Sequence, residues 1–392
     1  MDIYLIAAVR TPIGKFGGGL ASLTAPQLGT ASAKATLERS GIDPRSVDEV
    51  IFGNARQAGV GPNAARQIAI RSGLHHETPA YTINQACGSG LRAIINAADQ
   101  IQLGNADVIL AGGAESMSNT PYLLPRARWG YRMGNDEVVD GMTRDGFFCP
   151  LADEMMGSTA ETLAEQYDIS RDEQDRYAVA SQQKAGRAYD ENRFAGELVP
   201  VTVEGRKGNA VIDKDEHPRF DVDLGSMAKL PPVFRKKNGS VHAGNSSGVT
   251  DGASSMLVAS ESAVRKHGLT PMARIVGYAQ AGVDPKVMGL GPVPATRKLL
   301  EKTNTKLDDV DLIELNEAFA AQVIACDREL HLDPAKLNVH GGAISLGHPI
   351  GATGARITTT LLHALQSRDK KLGLATLCIS GGMGLSLLVE RA

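Results

Sequence analysis

The strongest constraint on the fold is an internal repeat, because the second half of the chain is similar in sequence to the first. Segment 35–55, "ATLERSGIDPRSVDEVIFGNA", aligns without a gap on segment 298–318, "KLLEKTNTKLDDVDLIELNEA", at an offset of 263 residues. When the offset is increased by one residue, Gly90 aligns with Gly354. Matches that keep the same order through both halves predict two similar units, packed about a pseudo-twofold axis.

Short apolar runs alternate with helical patterns such as "LRAIINAADQIQLG" and "GARITTTLLHALQSR" along both units. The predicted strands cover residues 2–9, 49–55, 80–86, 106–113, 255–260, 273–281, 311–318, 336–343, 373–380 and 385–390. This alternation predicts an α/β fold with mainly parallel strands, closed by an antiparallel hairpin at the C-terminus.

Between residues 118 and 248 the alternation stops, and a polar, charge-rich stretch follows at residues 204–240. Within residues 118–248 a helix is predicted to begin at a capping box formed by Ser170 and Glu173. Long irregular stretches of this kind are often functional insertions. We therefore expect an inserted loop domain that projects from the two-unit core.

The overall composition excludes several classes of partner. The 392 residues carry a net charge of −3, so we expect neither nucleic acid nor an anionic membrane as a partner. No apolar run approaches the roughly 20 residues that cross a bilayer, and "MDIYLIAAVRTP" is typical of a first strand rather than of a signal peptide. Four cysteines without paired spacing predict neither disulfides nor a metal site, which favours a cytoplasmic protein.

Cys87 lies in the stretch "TINQACGSGLRAI", between a predicted strand and a predicted helix. The Gly-Ser-Gly turn places its sulfur at the start of the helix, where the dipole and the free N–H groups favour a thiolate. Buried structural cysteines are about as common, so this segment alone leaves both interpretations open.

Two segments of the second half carry further candidate reactive side chains. His348 lies in "SLGHPIGATG", and the repeat places this turn opposite the turn of Cys87. Cys378 ends a predicted strand and enters a Ser-Gly-Gly turn whose backbone N–H groups suit a ligand oxygen. The alternative for each residue is a packed side chain in the core. Cys149 and Cys326 have no comparable setting, and we expect both to be structural.

Eight segments together resemble the thiolase family, in the family's order and from end to end of the chain. They are "NQACGSGLRA", "GGAESMS", "SMAKL", "AGNSSGVTDGA", "DPKVMGLGPVPA", "NEAFAAQ", "GGAISLGHPIGATGARI" and "LCISGGMG". The resemblance implies two βαβαβαββ halves layered αβαβα, with a loop domain inserted in the first half. The expected boundaries are 1–117 plus 249–270 for the first half, 118–248 for the inserted domain and 271–392 for the second half.

The resemblance implies a role for each reactive residue in making or cleaving a 3-ketoacyl-CoA. Cys87 is the implied nucleophile, which holds the acyl group as a thioester, and His348 is the base that activates it. Cys378 transfers a proton to or from the carbon between the two carbonyls. His348 and a water held by Asn316 form one implied oxyanion site. Backbone N–H groups of Cys87 and Ser380 form the other.

The resemblance also implies that the inserted domain binds CoA and acyl-CoA as substrates, with no permanently bound cofactor. The implied substrate-binding residues are Ala243 and Ser247 at the pantetheine, Arg219 near the adenine, and Met156, Met288, Ala318 and Phe319 along the acyl tunnel. The basic run at 235–237 meets either the CoA phosphates or only solvent, and a solvated loop is the favoured alternative. A homodimer or homotetramer is expected on the resemblance alone.

Three positions depart from the family pattern. Met155 stands where short-chain members usually carry His, His340 stands where Asn is common, and Ser380 stands where Gly is common. The backbone N–H of Ser380 is retained, so its oxyanion site is still expected. Met155 and Met156 are flexible and apolar, which predicts acceptance of acetoacetyl-CoA and of somewhat longer 3-ketoacyl-CoAs.

Two other functions remain open at this point. A decarboxylating ketoacyl synthase shares the layered fold and a cysteine nucleophile, but it would use two histidines where this chain has His348 and Cys378. A thiolase-like protein that binds lipid or CoA without turnover would be expected to lack Cys87, His348 or Cys378. All three residues are present, so the sequence favours an acyltransferase.

Overall fold

The computed structural model describes residues 1–206 and 208–392. Its strands are β1 (Ile3–Arg10), β2 (Gly14–Lys15), β3 (Glu49–Gly53), β4 (Ala80–Ile83), β5 (Val108–Ser116), β6 (Tyr122–Leu123), β7 (Val139–Asp140), β8 (Phe148–Cys149), β9 (Glu154–Met155), β10 (Val201–Val203), β11 (Ala210–Ile212), β12 (Thr250–Ser260), β13 (Pro271–Gly282), β14 (Leu312–Leu315), β15 (Leu372–Ile379) and β16 (Met383–Arg391). Its α-helices are α1 (Ala25–Ser40), α2 (Ala64–Arg71), α3 (Ser89–Gln102), α4 (Met156–Gln166), α5 (Arg171–Asp190), α6 (Leu224–Ala228), α7 (Glu261–His267), α8 (Pro292–Thr303), α9 (Ala320–Leu330), α10 (Ala343–Leu346) and α11 (Ile350–Ser367). None of the helices in this described part of the chain is long and apolar enough to cross a membrane.

The long strands form one mixed sheet in which the two halves of the chain repeat the same strand order. The order is β14-β15-β16-β13-β1-β12-β5-β3-β4, with β2 paired to β12. In each half the first long strand, β1 or β13, lies beside the last, β12 or β16. Antiparallel pairing of β1 with β13 joins the two halves edge to edge. This arrangement agrees with the pseudo-twofold axis that the repeat predicts.

Helices lie on both faces of each half of the sheet and produce the predicted layers, αβαβα. In the middle layer α3 and α11 pack against each other, and their apolar side chains share one core with strands of both halves. On the outer faces α1 and α2 cover the first half, with Leu28 and Ile68 fully buried. Similarly α8 and α9 cover the second half, with Leu299 and Val323 fully buried. The layered α/β fold is therefore confirmed.

The prediction of mainly parallel strands is wrong. Among the described residues of this sheet, parallel pairs occur only between β3 and β4, β3 and β5, and β14 and β15. β12 returns antiparallel beside β5 after the long insertion, and β16 returns antiparallel beside β15 through a short turn. The predicted C-terminal hairpin is thus confirmed, whereas the sheet as a whole is mixed.

The predicted strand at residues 336–343 is also wrong, since this segment forms only isolated bridges. It starts beside β14 as an edge strand would, with the Ile313 N–H donating to Lys336 and the Asn338 N–H donating to Ile313. Asn338 then adopts a φ of 44° and turns the chain. Its side-chain amide bonds both the N–H and the C=O of Leu315. The amide therefore replaces the backbone pairing that a longer strand would supply.

The region between residues 118 and 248 carries short strands and the helices α4, α5 and α6 instead of the strand–helix alternation of the core. α5 begins after Ser170, as predicted, and the Ser170 hydroxyl accepts a hydrogen bond from the Glu173 N–H. The reciprocal bond of the predicted capping box does not form at this described helix start, because the Glu173 carboxylate pairs with Arg328. α4 and α5 pack against α9 and α10 of the second half. The region leaves the first half in sequence, and its helices α4 and α5 cover part of the second half, whereas β10 and β11 pack against the first half. Its domain boundaries stay a prediction.

Candidate active site

The turn that carries Cys87 is held in an unusual backbone conformation at the N-terminus of α3. Ala86 has a φ of 45°, a left-handed value that is uncommon for a residue with a side chain. The hydroxyl of Ser89 accepts from the Gln85 N–H at 2.9 Å and donates to the Ala86 carbonyl at 2.7 Å. Within α3, which the structure describes in full, the first turn has neither a side-chain cap nor an acidic residue. The positive end of its dipole is therefore left for the Cys87 sulfur.

His348 occupies the equivalent turn, before α11. Its Nδ1 lies 2.6 Å from the Oγ1 of Thr353, and that hydroxyl donates to the Pro349 carbonyl at 3.0 Å. A hydroxyl has one proton to donate, so Nδ1 carries the proton of the first bond and Nε2 is left as an acceptor. Burial lowers the pKa of His348 to about 3, and the cations Arg356 and Arg56 add to this shift. His348 is therefore neutral at physiological pH, with one nitrogen able to accept a proton.

Two glycines allow α3 and α11 to cross close to their N-termini. A Cβ at Gly90 would lie 2.8 Å from the backbone nitrogen of Ala355, and a Cβ at Gly354 would overlap the backbone nitrogen of Leu91. Gly90 and Gly354 are the pair that the repeat aligns. Because each helix starts next to a reactive side chain, this close contact brings the two reactive turns to one site.

The end of β15 supplies Cys378 and, just after the strand, Ser380. Burial raises the pKa of the Cys378 thiol well above its usual value, and the neighbouring Cys87 adds to the shift. Cys378 therefore holds its proton at neutral pH. Burial also raises the pKa of Cys87, whereas the backbone N–H groups of Ser380 and of Cys87 itself oppose that shift. Both N–H groups are thus placed to stabilise negative charge at the Cys87 sulfur.

Most of the predicted site residues line one cavity of about 80 Å³. The predicted residues at its wall are Cys87, His348, Cys378, Ser380, Met156, Ser247, Met288, Ala318 and Phe319. Met156, Met288, Ala318 and Cys378 belong to one apolar cluster against which Phe319 packs. Met155 is half-buried but does not line the cavity. The cavity therefore combines nucleophilic and basic side chains with an apolar wall.

A second cavity of about 490 Å³ opens beside the first and shares Phe147 and Ser247 with it. Arg219 and Ala243, which the sequence predicts to contact substrate, line this outer cavity rather than the inner one. His217 lines it as well, and burial lowers the pKa of His217 to about 4. The two cavities together run from the protein surface to the reactive cysteine.

Asn316 does not line either cavity, although the sequence places it in the catalytic set. It follows β14 directly and is fully buried. Neither Oδ1 nor Nδ2 of its side chain has a hydrogen-bond partner among the described residues. Buried amides are normally satisfied, so this side chain suits a bound water.

Glu115 lies in the segment "GGAESMS", which resembles the family, but the sequence predicts no role for it. Glu115 is fully buried in β5. Its carboxylate accepts from the side chain of Asn54 and from the backbone N–H groups of Ala55, Arg56 and Gly351. Burial raises the pKa of Glu115, whereas Arg56 and the N–H donors oppose the rise. This carboxylate ties the first half to the N-terminus of α11.

Arg56, Phe147 and Thr353 were also missed. Arg56 and Phe147 line the inner cavity, and the only sequence signal for Arg56 is its place in the loop after a buried strand. Of the remaining cysteines, Cys149 belongs to the apolar cluster that contains Cys378, whereas Cys326 packs in the core of the second half. Cys149 and Cys326 are buried, and neither lines the cavity that holds Cys87.

Family models match almost the whole chain. The model for the thiolase N-terminal domain matches residues 3–262, and the model for the thiolase C-terminal domain matches residues 269–391. An acetyl-CoA acetyltransferase of Pseudomonas aeruginosa is 51% identical over 391 residues, which are 100% of this chain and 99% of that protein.

Solved structures agree with these matches. The Bacillus anthracis acetyl-CoA acetyltransferase superposes with a TM-score of 0.98 at 46% identity, covering 100% of this chain and 99% of that one. Human mitochondrial 3-ketoacyl-CoA thiolase in complex with CoA superposes with a TM-score of 0.96 at 44% identity, covering 100% of this chain and 98% of that one. Matches of this extent, on a fold built from two similar halves, show that the chain belongs to the thiolase family.

Proposed function

We propose that this chain is a thiolase that transfers an acyl group reversibly between CoA and acetyl-CoA, as the names of its relatives indicate. The observation that carries the proposal is the shared cavity of Cys87, His348 and Cys378. It combines a nucleophilic thiol, a neutral base and a protonated thiol within reach of one small substrate group. The 3-ketoacyl-CoA class, acetoacetyl-CoA included, is the proposed substrate.

In the cleavage direction His348 first takes the proton of the Cys87 thiol at its Nε2. The Cys87 thiolate then attacks the 3-keto carbonyl, and the bond between C2 and C3 breaks. The departing carbanion of acetyl-CoA takes the proton of Cys378, which the high pKa of that thiol keeps in place. Acetyl-CoA leaves, and the remaining acyl group stays on Cys87 as a thioester.

The second half-reaction restores the enzyme. The imidazolium of His348 first returns a proton to the Cys378 thiolate, and neutral His348 then takes the proton of the CoA thiol while the CoA sulfur attacks the thioester carbonyl. Cys87 leaves as a thiolate and takes back the proton that His348 holds. Condensation of two acetyl-CoA molecules is the same path in reverse, and its direction follows the metabolite concentrations.

Two groups of donors are proposed to stabilise the oxyanions of these steps. A water held by Asn316, together with His348, would serve one oxyanion, and the unpaired buried amide of Asn316 supports this assignment. Backbone N–H groups of Cys87 and Ser380 would serve the other, since both already lower the pKa of the Cys87 thiol. A donor of this kind is typically worth about 3 kcal/mol in the transition state.

CoA is proposed to lie in the outer cavity, with its pantetheine passing Ala243 and Ser247 and its adenine near Arg219. The shared wall of Phe147 and Ser247 supports a continuous path to Cys87. Met156, Met288, Ala318 and Phe319 are proposed to surround the acyl end. We propose no permanently bound cofactor, because the protein groups supply every proton transfer in this path.

We further propose a cytoplasmic protein that forms a homodimer or homotetramer. The free thiols of all four cysteines support a reducing compartment. Exposed apolar side chains support self-association, among them Trp129 and Met133, which are 84% and 98% exposed. Light scattering of the purified protein would measure the number of subunits.

Acetyl transfer to Cys87 tests the proposed function directly. Incubation with acetyl-CoA should add one acetyl group to the peptide that contains Cys87, as measured by mass spectrometry after proteolysis. Cys87→Ser should abolish thiolysis of acetoacetyl-CoA. Acetylation that appears at Cys149 or Cys326 in place of Cys87 would contradict the proposal, and so would a Cys87→Ser variant with full turnover.

A decarboxylating ketoacyl synthase is the less favoured alternative. Such an enzyme would be expected to place a second histidine where this cavity has Cys378. An assay with malonyl-CoA separates the two, since only the alternative releases carbon dioxide.

A further inference from the structure

Arg56 is a buried cation at the wall of the inner cavity, outside the set of residues already assigned to the reaction. It lies in the loop after β3 and is 6% exposed. Its guanidinium packs against Gly146, where a Cβ would overlap it, and lies 5.9 Å from the centre of the Phe147 ring. The small residue and the aromatic ring hold the charged group at the cavity.

The donors of this guanidinium are mostly unused within the protein. Nη1 donates to the Asp145 carbonyl at 3.2 Å. Nε and Nη2 are buried and have no partner among residues 1–206 and 208–392. Glu115 binds the backbone N–H of Arg56, not its guanidinium. A buried charge with unpaired donors is costly unless another charge in the site compensates it.

Within the described wall of the cavity, Arg56 is the only fixed cation, because His348 is neutral at physiological pH. The resident anions nearby are Asp145, which is exposed and lines the same cavity, and the buried Glu115, whose pKa Arg56 lowers without a hydrogen bond from the guanidinium. Two sulfurs of this cavity become negative during the proposed reaction, those of Cys87 and Cys378, and it is the pKa of Cys87 that Arg56 lowers.

We infer that Arg56 stabilises the negative charge on the Cys87 sulfur and so acts on the reaction through Cys87. The inference rests on the proposed function, in which Cys87 must form a thiolate. Arg56 also favours the neutral form of His348, which is the form able to accept a proton, but it opposes the imidazolium that the transfer produces.

The other groups that face Cys87 act in both directions. Glu115 on β5 raises the pKa of Cys87, as does burial, whereas Arg56 and the Ser380 N–H lower it. Cys378 on β15 is protonated at neutral pH, and His348 before α11 is neutral, so neither supplies a resident positive charge. Arg56 is therefore the side chain whose removal should change the thiolate fraction most.

The test is the pH dependence of alkylation of Cys87 by iodoacetamide in the full-length protein, followed on the Cys87 peptide by mass spectrometry. Arg56→Leu should alkylate about tenfold more slowly at pH 7, with a midpoint shifted to higher pH by about one unit. Arg56→Lys keeps the charge and should remain within about threefold of the parent. Arg71→Leu removes an exposed arginine of α2 and should leave the profile unchanged.

Several results would overturn the inference. One is an Arg56→Leu profile that coincides with that of the parent in a variant with parental circular dichroism and thermal midpoint. Another is an Arg56→Lys profile shifted as far as that of Arg56→Leu, since the charge would then not be the cause. Loss of thiolysis in Arg56→Leu with an unchanged alkylation profile would place the guanidinium on the substrate instead.

Alkylation needs no CoA, so this test is separate from that of the proposed function. If acetyl-CoA fails to label Cys87 while the alkylation profile depends on Arg56, the proposed function fails and the inference stands. If acetyl-CoA labels Cys87 and the profile ignores Arg56, the reverse holds.

Discussion

The two reactive turns occupy equivalent places in the two halves of the molecule, but the N-termini of the helices that follow them are capped differently. α3 starts after Cys87 with no side-chain cap on its first N–H groups. At α11 the Gly351 N–H donates to the buried carboxylate of Glu115 at 2.8 Å, and Thr353 fixes the imidazole of His348. One helix start is thus open to an anion, and the other is already neutralised.

The difference teaches how a duplicated fold acquires two chemically distinct partners. Ser89 and Thr353 align in the repeat, and each hydroxyl organises its own turn. Ser89 bonds only backbone groups and so shapes the loop before Cys87. Thr353 bonds the imidazole itself and so selects its tautomer. The backbone repeats, while single side chains decide that one turn offers a nucleophile and the other a base.

The largest expected effect separates the two second-half residues that face Cys87. His348→Ala should slow acetylation of Cys87 about a thousandfold at pH 7, because the thiol loses its base. Cys378→Ala should keep acyl exchange between CoA and Cys87 but lose condensation of acetyl-CoA by a similar factor. Stopped-flow acetylation and an acetoacetyl-CoA assay measure the two steps. Condensation at the parental rate in Cys378→Ala would make that residue structural.

The next prediction tests the different roles of the Thr353 and Ser89 hydroxyls. Thr353→Val should slow acetylation of Cys87 about tenfold, because the imidazole loses the bond that fixes its tautomer. Thr353→Ser keeps the hydroxyl and should recover most of the rate. Ser89→Ala should instead lower the free energy of unfolding by about 1–2 kcal/mol, since two backbone groups lose their partner.

Acetylation kinetics and urea unfolding of Thr353→Val and Ser89→Ala measure the difference between the two hydroxyls. Equal loss of acetylation rate in Thr353→Val and Ser89→Ala, with equal loss of stability, would remove the distinction between the turns.

The third effect concerns the loss of folding stability in acid, to which the buried His340 and His348 of the second half and His217 of the insertion contribute. Burial lowers the pKa of His340 to about 4 and that of His348 to about 3. The unfolded chain binds these protons below about pH 6.5 and the folded chain does not, so stability falls as the pH falls from 6.5 toward 4. The expected loss is about 2 kcal/mol per histidine between pH 7 and pH 5.

Urea unfolding at several pH values measures this loss. His340→Asn, which restores the residue common in the family, should remove about 2 kcal/mol of the pH dependence. His75→Asn, at an exposed position of the first half, is the matched control. Equal pH dependence in the parent and in His340→Asn would show that this imidazole titrates alike in both states.

The last expected effect concerns acyl length. Met156 lines the inner cavity and Met155 does not, so the structure divides a pair that the sequence treats together. Met156→Ala should change the ratio of kcat/KM for six-carbon and four-carbon 3-ketoacyl-CoAs by about tenfold, because it opens the acyl end. Met155→His should change that ratio by less than about threefold. A larger effect of Met155→His would mean that this residue reaches the acyl chain in solution.

Much of the fold could be predicted because its signals are local or repeated. The segment around Cys87 combines an apolar run, a Gly-Ser-Gly turn and a helical pattern, and these features suffice to place the sulfur at a helix start. Conversely, residues 336–343 have the composition of a strand, but the amide of Asn338 competes with backbone pairing. Local propensity cannot detect such competition, since it depends on the neighbouring strand.

The sequence by itself determined the two-unit architecture, the two reactive turns and the family, because spacing and order along the chain carry that information. Only the tertiary structure decided that Arg56 lines the cavity of Cys87, and that Glu115 binds the Gly351 N–H across 236 residues of sequence. It also decided that helices α4 and α5 of the insertion cover part of the second half. These contacts join segments far apart in the chain. Their energies come from desolvation and from hydrogen-bond geometry in three dimensions, which no local pattern encodes.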